Sequence, residues 1–398
     1  KFDGDGHTII VIGTKTLNYT HSGDLNDEEN ISVGLLFGNL NHTQISNLNV
    51  IFAANINVTY SNNSKNIGGN LVDSTIVSRI HVGLLAGSSS VSSSITDVKI
   101  ETKPNSRLVV EGIDNMSGTS DLPKEGFWPN YIYPKSIQDR AVSATVSLVV
   151  GISNDFTANN VSIKHDGLVV SRSHSKVAGI TYESARGEGS KTHVHISDYG
   201  SQAGLFVGLA DTESKTKLNC VLVEGSGAVV ALLKGGGSNS TSHISNDSAG
   251  ILSGKNFTDI SWFNVEGLIY KYNGLVVGST GSGFSRKSRL LVGDTVDTKT
   301  SIKYMFRDNS TNNAIVSSYN QVNVGIPSSA SGVRNDGNVK NNKRESRDNY
   351  ISQPNNDYLG FNGILASTTT NIEVKIPVYD GNNINADRIN NATVSYSS

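Results

Sequence analysis

The sequence predicts an all-β fold, a right-handed parallel β-helix: a solenoid with coils of about 24 residues and loop insertions. Three observations predict it. Glycine-led apolar blocks recur at short, even intervals. Several are followed by a second short segment of alternating apolar and polar residues. No stretch sustains a 3.6-residue apolar period over ten residues, and glycine interrupts every block, which disfavours helix.

The spacing carries the most weight. Leading glycines at Gly179, Gly204, Gly227, Gly250 and Gly274 follow one another at steps of about 24 residues. That interval is too short for a strand–helix–strand unit or a four-stranded propeller blade, and fits three short strands joined by turns. About twelve such coils, stacked ~4.8 Å apart, would make a rod roughly 55–60 Å long. Each glycine then marks a sharp corner or a place where side-chain bulk would keep neighbouring coils apart.

In chain order, the first copies are Val33-Gly34-Leu35-Leu36-Phe37-Gly38 and Val82-Gly83-Leu84-Leu85-Ala86-Gly87, about two periods apart. Their second segments are Ile45–Val50 and Ile95–Ile100. Ser147-Leu148-Val149-Val150-Gly151 is a weaker copy with serine in the glycine slot, followed by Asn160–Ile163. The five evenly spaced copies come next, and Asn362-Gly363-Ile364-Leu365-Ala366-Ser367 is a late one. The expected organisation is a β-helix over 1–300 with a loop insertion near 103–140. An irregular extension over 301–398 follows, with a polar loop at 327–358 and a final strand-rich segment.

The opening Phe2-Asp3-Gly4-Asp5-Gly6-His7-Thr8-Ile9, with the blocks at Gly34–Gly38 and Ile45–Val50, resembles the GLUG-type repeats of β-helical surface and adhesin-like proteins. The resemblance covers 1–100 closely, 141–300 loosely and 361–376 faintly. It implies a parallel β-helix and a secreted or cell-surface location, and it carries no catalytic residues. The second glycine is missing from several copies, and 101–140 and 305–358 show no repeat.

Composition narrows the function. The 398 residues carry a net charge of −2, which gives no broad basic face for nucleic acid or anionic lipid. No apolar run reaches the ~18–20 residues that span a bilayer, so no membrane insertion is expected. Cys220 is the only cysteine; its apolar neighbours Leu218, Val221, Leu222 and Val223 predict a buried small hydrophobe. Twelve N-x-[ST] sequons stand at Asn18, Asn30, Asn41, Asn57, Asn62, Asn115, Asn160, Asn239, Asn246, Asn256, Asn309 and Asn391. They are candidate N-glycan sites on a secretory route.

Chemistry-bearing motifs are sparse. Clustered N-x-D, D-D, G-H-G and R-x-K signatures of pectinase-like enzymes are not found, and the scattered aspartates fit turns. His193-Val194-His195 with Asp198 would need a third ligand from a neighbouring coil to hold a metal, so no metal site is nominated. Asp3-Gly4-Asp5-Gly6 lacks further oxygen ligands in register for Ca²⁺; the ion stays an open alternative beside N-linked glycan, with no other cofactor expected. Phe127, Trp128, Tyr131 and Tyr133 concentrate aromatics in the 103–140 insertion, either as a contact for a partner or sugar or as a self-packed cover. The expectation is a non-catalytic extracellular structural or adhesive protein, a glycosylated subunit of a surface filament or fibre. It would associate with itself or touch other surface proteins or glycans. The alternatives are a polysaccharide lyase or hydrolase, and a carbohydrate-binding rod using Trp128 or Trp262-Phe263.

Overall fold

The computed structural model describes residues 1–23, 29–64, 76–115, 131–132, 140–176, 180–184, 191–193, 200–234, 247–256, 262–279, 291–295, 300–307, 315–319, 370–379 and 384–396. Its strands fall into successive tiers. The first holds β1 (Phe2–Asp3), β2 (Thr8–His21), β3 (Asn30–Gly34) and β4 (Phe37–Asn41). The second holds β5 (Gln44–Asn62), β6 (Ile76–Gly83) and β7 (Ala86–Ser90). Then come β8 (Ser93–Thr102), β9 (Arg107–Asp114), β10 (Tyr131–Ile132), β11 (Arg140–Ser147) and β12 (Val150–His165). They are followed by β13 (Leu168–Lys176), β14 (Ile180–Ser184), β15 (Lys191–His193), β16 (Ser201–Gly204) and β17 (Val207–Gly225). The upper tiers hold β18 (Ala228–Lys234), β19 (Ser248–Gly250), β20 (Ser253–Asn256), β21 (Trp262–Tyr272), β22 (Leu275–Ser279) and β23 (Val292–Thr295). After β24 (Thr300–Arg307) and β25 (Ile315–Tyr319), a separate hairpin pairs β26 (Thr370–Tyr379) with β27 (Ile384–Tyr396).

The expected right-handed β-helix of short, even coils is not what this chain builds. Among the described residues, twenty-two strands form one largely parallel sheet that curls into a nearly barrel-shaped wall, with strands as long as 19 residues. Paired positions lie far apart in sequence. Ile45 pairs with Ile95, Ile95 with Ala158, Ala158 with Leu218, Leu218 with Val265 and Val265 with Ile302. Every one of these steps is longer than the glycine interval, and they differ from tier to tier. The glycine period is a fraction of a tier because the motif occurs twice per tier in two different places. Gly204 lies opposite Gly250. Gly227 lies beneath Gly274, whose neighbour Leu275 donates its N–H to the Gly227 carbonyl at 2.9 Å. Alternate copies stack, and consecutive ones do not. The copy at Gly179 leads into β14, which pairs antiparallel with β10 and β15 in a small separate sheet.

The two glycines of one block do different work. At the first, the chain bends between two strands, and two successive apolar residues both point inward. Leu84 and Leu85, Leu205 and Phe206, and Ile251 and Leu252 are all fully buried. A Cβ on Gly204 would meet the Val207 carbonyl oxygen at 2.1 Å. The second glycine presses its strand against the tier before: a Cβ on Gly87 would lie 2.5 Å from the Val33 nitrogen, and one on Gly254 2.6 Å from the Ala203 nitrogen. Main chain packs on main chain there, and only glycine permits it.

Alternation builds the core. From Leu48 to Tyr60 every second residue of β5 is buried, including Val50, Phe52, Ala54, Ile56 and Val58. The column that starts at Ile45 continues through its in-register neighbours Ile95, Ala158, Leu218 and Val265, each at most 1 % exposed. Each fully buried Val, Leu, Ile or Phe contributes about 1.5–3 kcal/mol. Two stretches of the expected organisation join the same sheet: β9 lies inside 103–140, and β24 and β25 lie at or beyond residue 300.

Candidate functional site

A row of left-handed residues shapes the outer surface. Asn47, Asp97, Asn160 and Cys220 have φ between 50° and 55°, and Gly267 has φ 80°. The registers on either side place them opposite one another on consecutive strands. Asparagine, aspartate and glycine tolerate this conformation best. The bend shifts the alternation by one residue: Leu218 and Val221 both face inward while Cys220 is turned out. Cys220 is therefore exposed, which corrects the expectation of a buried hydrophobe. Side chains lace the row together, with the Asn160 amide donating to Asp97 Oδ1 and Asn47 Nδ2 donating to Asp3 Oδ1 at 3.0 Å.

Just beyond the bend lies a groove of about 340 Å³ across β2, β5, β8, β12 and β17. One row of its lining is Thr8, Asn49, Lys99 and Ser162; the next is Ile51, Glu101, Lys164 and Glu224. Four strand spacings make it roughly 19 Å long. Glu101 accepts from Lys103 Nζ at 2.7 Å, and Lys164 Nζ lies 3.9 Å from the same oxygen. The Glu101 and Glu224 backbones are two strand spacings apart, about 9.6 Å. A run of hydroxyl, amide, carboxylate and ammonium groups of this length can hydrogen-bond successive units of a polar polymer. These residues were not singled out from sequence because they are scattered from 8 to 224. Aligning the segments at Ile45, Ile95 and Asn160 by their left-handed residue would have gathered them.

A buried polar cluster sits where β12 ends. His165 is fully buried, with Nδ1 2.8 Å from Thr102 Oγ1 and Nε2 3.1 Å from the Ala228 carbonyl oxygen. The carbonyl accepts only, so Nε2 carries the proton and Nδ1 accepts from the threonine hydroxyl. Gly225, between His165 and Tyr272 in the stack, has no side chain, and the two rings face each other at 6.3 Å. Burial holds the His165 pKa down to about 4. His81 is also buried, lacks a hydrogen-bond partner for Nδ1 among the described residues, and is pushed to about 3 by burial and then by the Arg79 charge.

The sequence-nominated residues are placed as follows. Asn18, Asn30, Asn41, Asn57, Asn115 and Asn160 are exposed. Asn62 is fully buried, donating to Ser78 Oγ at 2.6 Å and accepting from the Ser64 N–H, and Asn256 is 3 % exposed. Neither has room for a glycan in the folded chain. Asn391 lies in β27; Asn239, Asn246 and Asn309 lie outside the described residues. Tyr131 is in β10, and Phe127, Trp128 and Tyr133 are outside the described residues. Phe263 is 1 % exposed and packs in the core, so it offers no face to a sugar. His193 ends β15, while His195 and Asp198 are outside the described residues. Asp3 Oδ1 accepts from Asn47 and from the Asp5 N–H, which lowers its pKa. Among the described residues no group of three or more His, Cys, Asp or Glu side chains is placed to hold a metal ion.

Fold and groove together define an all-β protein whose large parallel sheet presents an elongated groove of mixed apolar, polar and charged lining. No family model matches the chain, and no curated protein or solved structure matches it either.

Proposed function

We propose that the chain is an extracellular structural or adhesive protein, a glycosylated subunit of a surface filament or fibre, acting through the surface it displays. One observation carries this reading. Along Thr14–Thr20 of β2 and the paired stretch of β5, the outer face carries exposed short polar side chains in register. Thr14, Thr16 and Thr20 stand with Asn18 on one strand, and Asn55 and Asn57 on the other. Asn18 and Asn57 are both sequons, so this face accepts glycan without disturbing the core. Antibody labelling of intact, unpermeabilised cells, with a glycosidase mass shift on the recovered chain, tests the reading. Surface staining and a shift are expected. Staining only after permeabilisation would contradict it.

The groove favours a second reading, a carbohydrate site. Glu101 and Glu224 stand on one row with their backbones about 9.6 Å apart, and inverting glycosidases work with two carboxyl groups ~6.5–9.5 Å apart. A panel of acidic and neutral polysaccharides separates the two: retention without release of reducing ends fits an adhesive surface. Release that disappears in Glu101→Gln and Glu224→Gln would make the groove catalytic.

A further inference from the structure

The first tier is finished differently from the rest. Among the described residues β2 pairs on one side only, with β5. Asn49 donates its N–H to the His7 carbonyl at 3.0 Å. In a parallel ladder that phase gives the odd-numbered residues of β2 to β5. The N–H and C=O groups of Thr8, Ile10, Ile12 and Thr14 then point to the open edge. The inner row is uncovered as well. Ile9, Val11, Leu17 and Tyr19 are only partly buried, whereas their partners Val50, Phe52, Val58 and Tyr60 are at most 1 % exposed. On the outer row Ile10 is 59 % and Ile12 74 % exposed, beside Ile51 and the exposed Ala53. Thr8-Ile9-Ile10-Val11-Ile12-Gly13-Thr14 thus shows apolar residues on both faces and bears no charge or proline. Open edges of this composition pair with strands like themselves.

We propose that Thr8–Thr14 pairs antiparallel with the same segment of a second copy, about a two-fold axis at Val11. The symmetry satisfies the edge: Ile10 faces the partner's Ile12 and Thr8 faces the partner's Thr14, so every outward N–H and C=O finds its complement. Four isoleucines then meet on the outer face and extend the patch of Ile51 and Ala53. Charge selects this register. Lys15 falls opposite the partner's His7, and the two Lys15 side chains are held about 27 Å apart, beyond a Debye length at physiological salt. The inference gives the self-association reading a specific contact, and it can fail while surface display stands.

Sedimentation of the full chain over a concentration series tests it. A species of twice the 42.3 kDa chain mass is expected. Ile12→Pro removes an edge N–H and no bond to β5, so it halves that mass while circular dichroism and melting stay as in the parent. The double variant Ile10→Lys/Ile12→Lys does the same through charge. In a Cys220→Ser background, Val11→Cys sits on the axis and oxidises to a covalent dimer, and Leu17→Cys does not. A chain that stays monomeric throughout the series overturns the proposal. So does a dimer untouched by both edge variants, or one that Val11→Cys does not lock.

Discussion

Acid should weaken this protein well before its carboxylates titrate. His165 and His81 are held neutral by burial, with pKa values about 4 and about 3 against an ordinary 6.5. In the unfolded chain both recover ordinary values and take up protons as the pH falls below 6.5. Their folded pKa values are depressed, so the stability they contribute is complete above 6.5. It is lost progressively as the pH falls toward 4 for His165 and 3 for His81. Between pH 7 and pH 5 each accounts for about 2 kcal/mol, about 4 kcal/mol together, a large part of the ~5–15 kcal/mol that holds a typical domain. Urea unfolding followed by circular dichroism at pH 7, 6 and 5 measures the loss. His165→Asn and His81→Asn, each compared with itself across the same range, should each show about half the pH dependence. A stability that is the same at pH 7 and pH 5 would refute the reasoning. His165 and His81 imidazole NMR resonances that titrate near 6.5 in the folded chain would refute it equally.

The glycines offer a matched contrast. Gly87→Ala puts a Cβ against the Val33 main chain and should cost about 2–4 kcal/mol, while Gly38→Ala meets nothing within 4 Å and should be neutral to about 0.5 kcal/mol; thermal melts of the two variants decide. Gly225→Ala combines φ +121° with a Cβ 2.1 Å from the His165 carbonyl oxygen, and should destabilise at least as much as Gly87→Ala. Cys220→Gly relieves a left-handed non-glycine residue on the exposed row and should stabilise by about 1 kcal/mol, read as an increase in urea midpoint at unchanged slope.

Much of the local structure was legible in the sequence, and the long-range pairing was not. Alternation in Gln44–Asn62 and the apolar pair after each leading glycine identify strands and corners, because inward side chains must be apolar wherever a face is buried. The period misled because corner and flank use the same glycine-led block. Gly204 and Gly227 look alike in sequence, yet one ends β16 and the other precedes β18. Connections of variable length between tiers make the step from Ile95 to Ala158 much longer than that from Val265 to Ile302, so no fixed repeat survives. The apolar run around Cys220 hid the bend because a single left-handed residue leaves alternation on each side intact. The groove was invisible for a related reason: Lys99, Lys164, Glu101 and Glu224 are ordinary strand residues until register sets them side by side.

Register is the central claim, and Cys220 gives a direct way to measure it. Asn160 lies opposite Cys220, one strand spacing or ~4.8 Å away, within the ~4.4–6.8 Å Cα separation a disulfide spans. Asn160→Cys therefore places a second thiol beside the native one in a conformation cysteine already adopts at 220. Mild oxidation followed by non-reducing peptide mapping should show a 160–220 disulfide in the monomer. Ile196→Cys and Ile244→Cys, each one glycine interval from Cys220 in sequence, probe the competing register of a short, even coil. Cross-linking at 196 or 244 with none at 160 would contradict the tiered parallel sheet and restore the short, even coil.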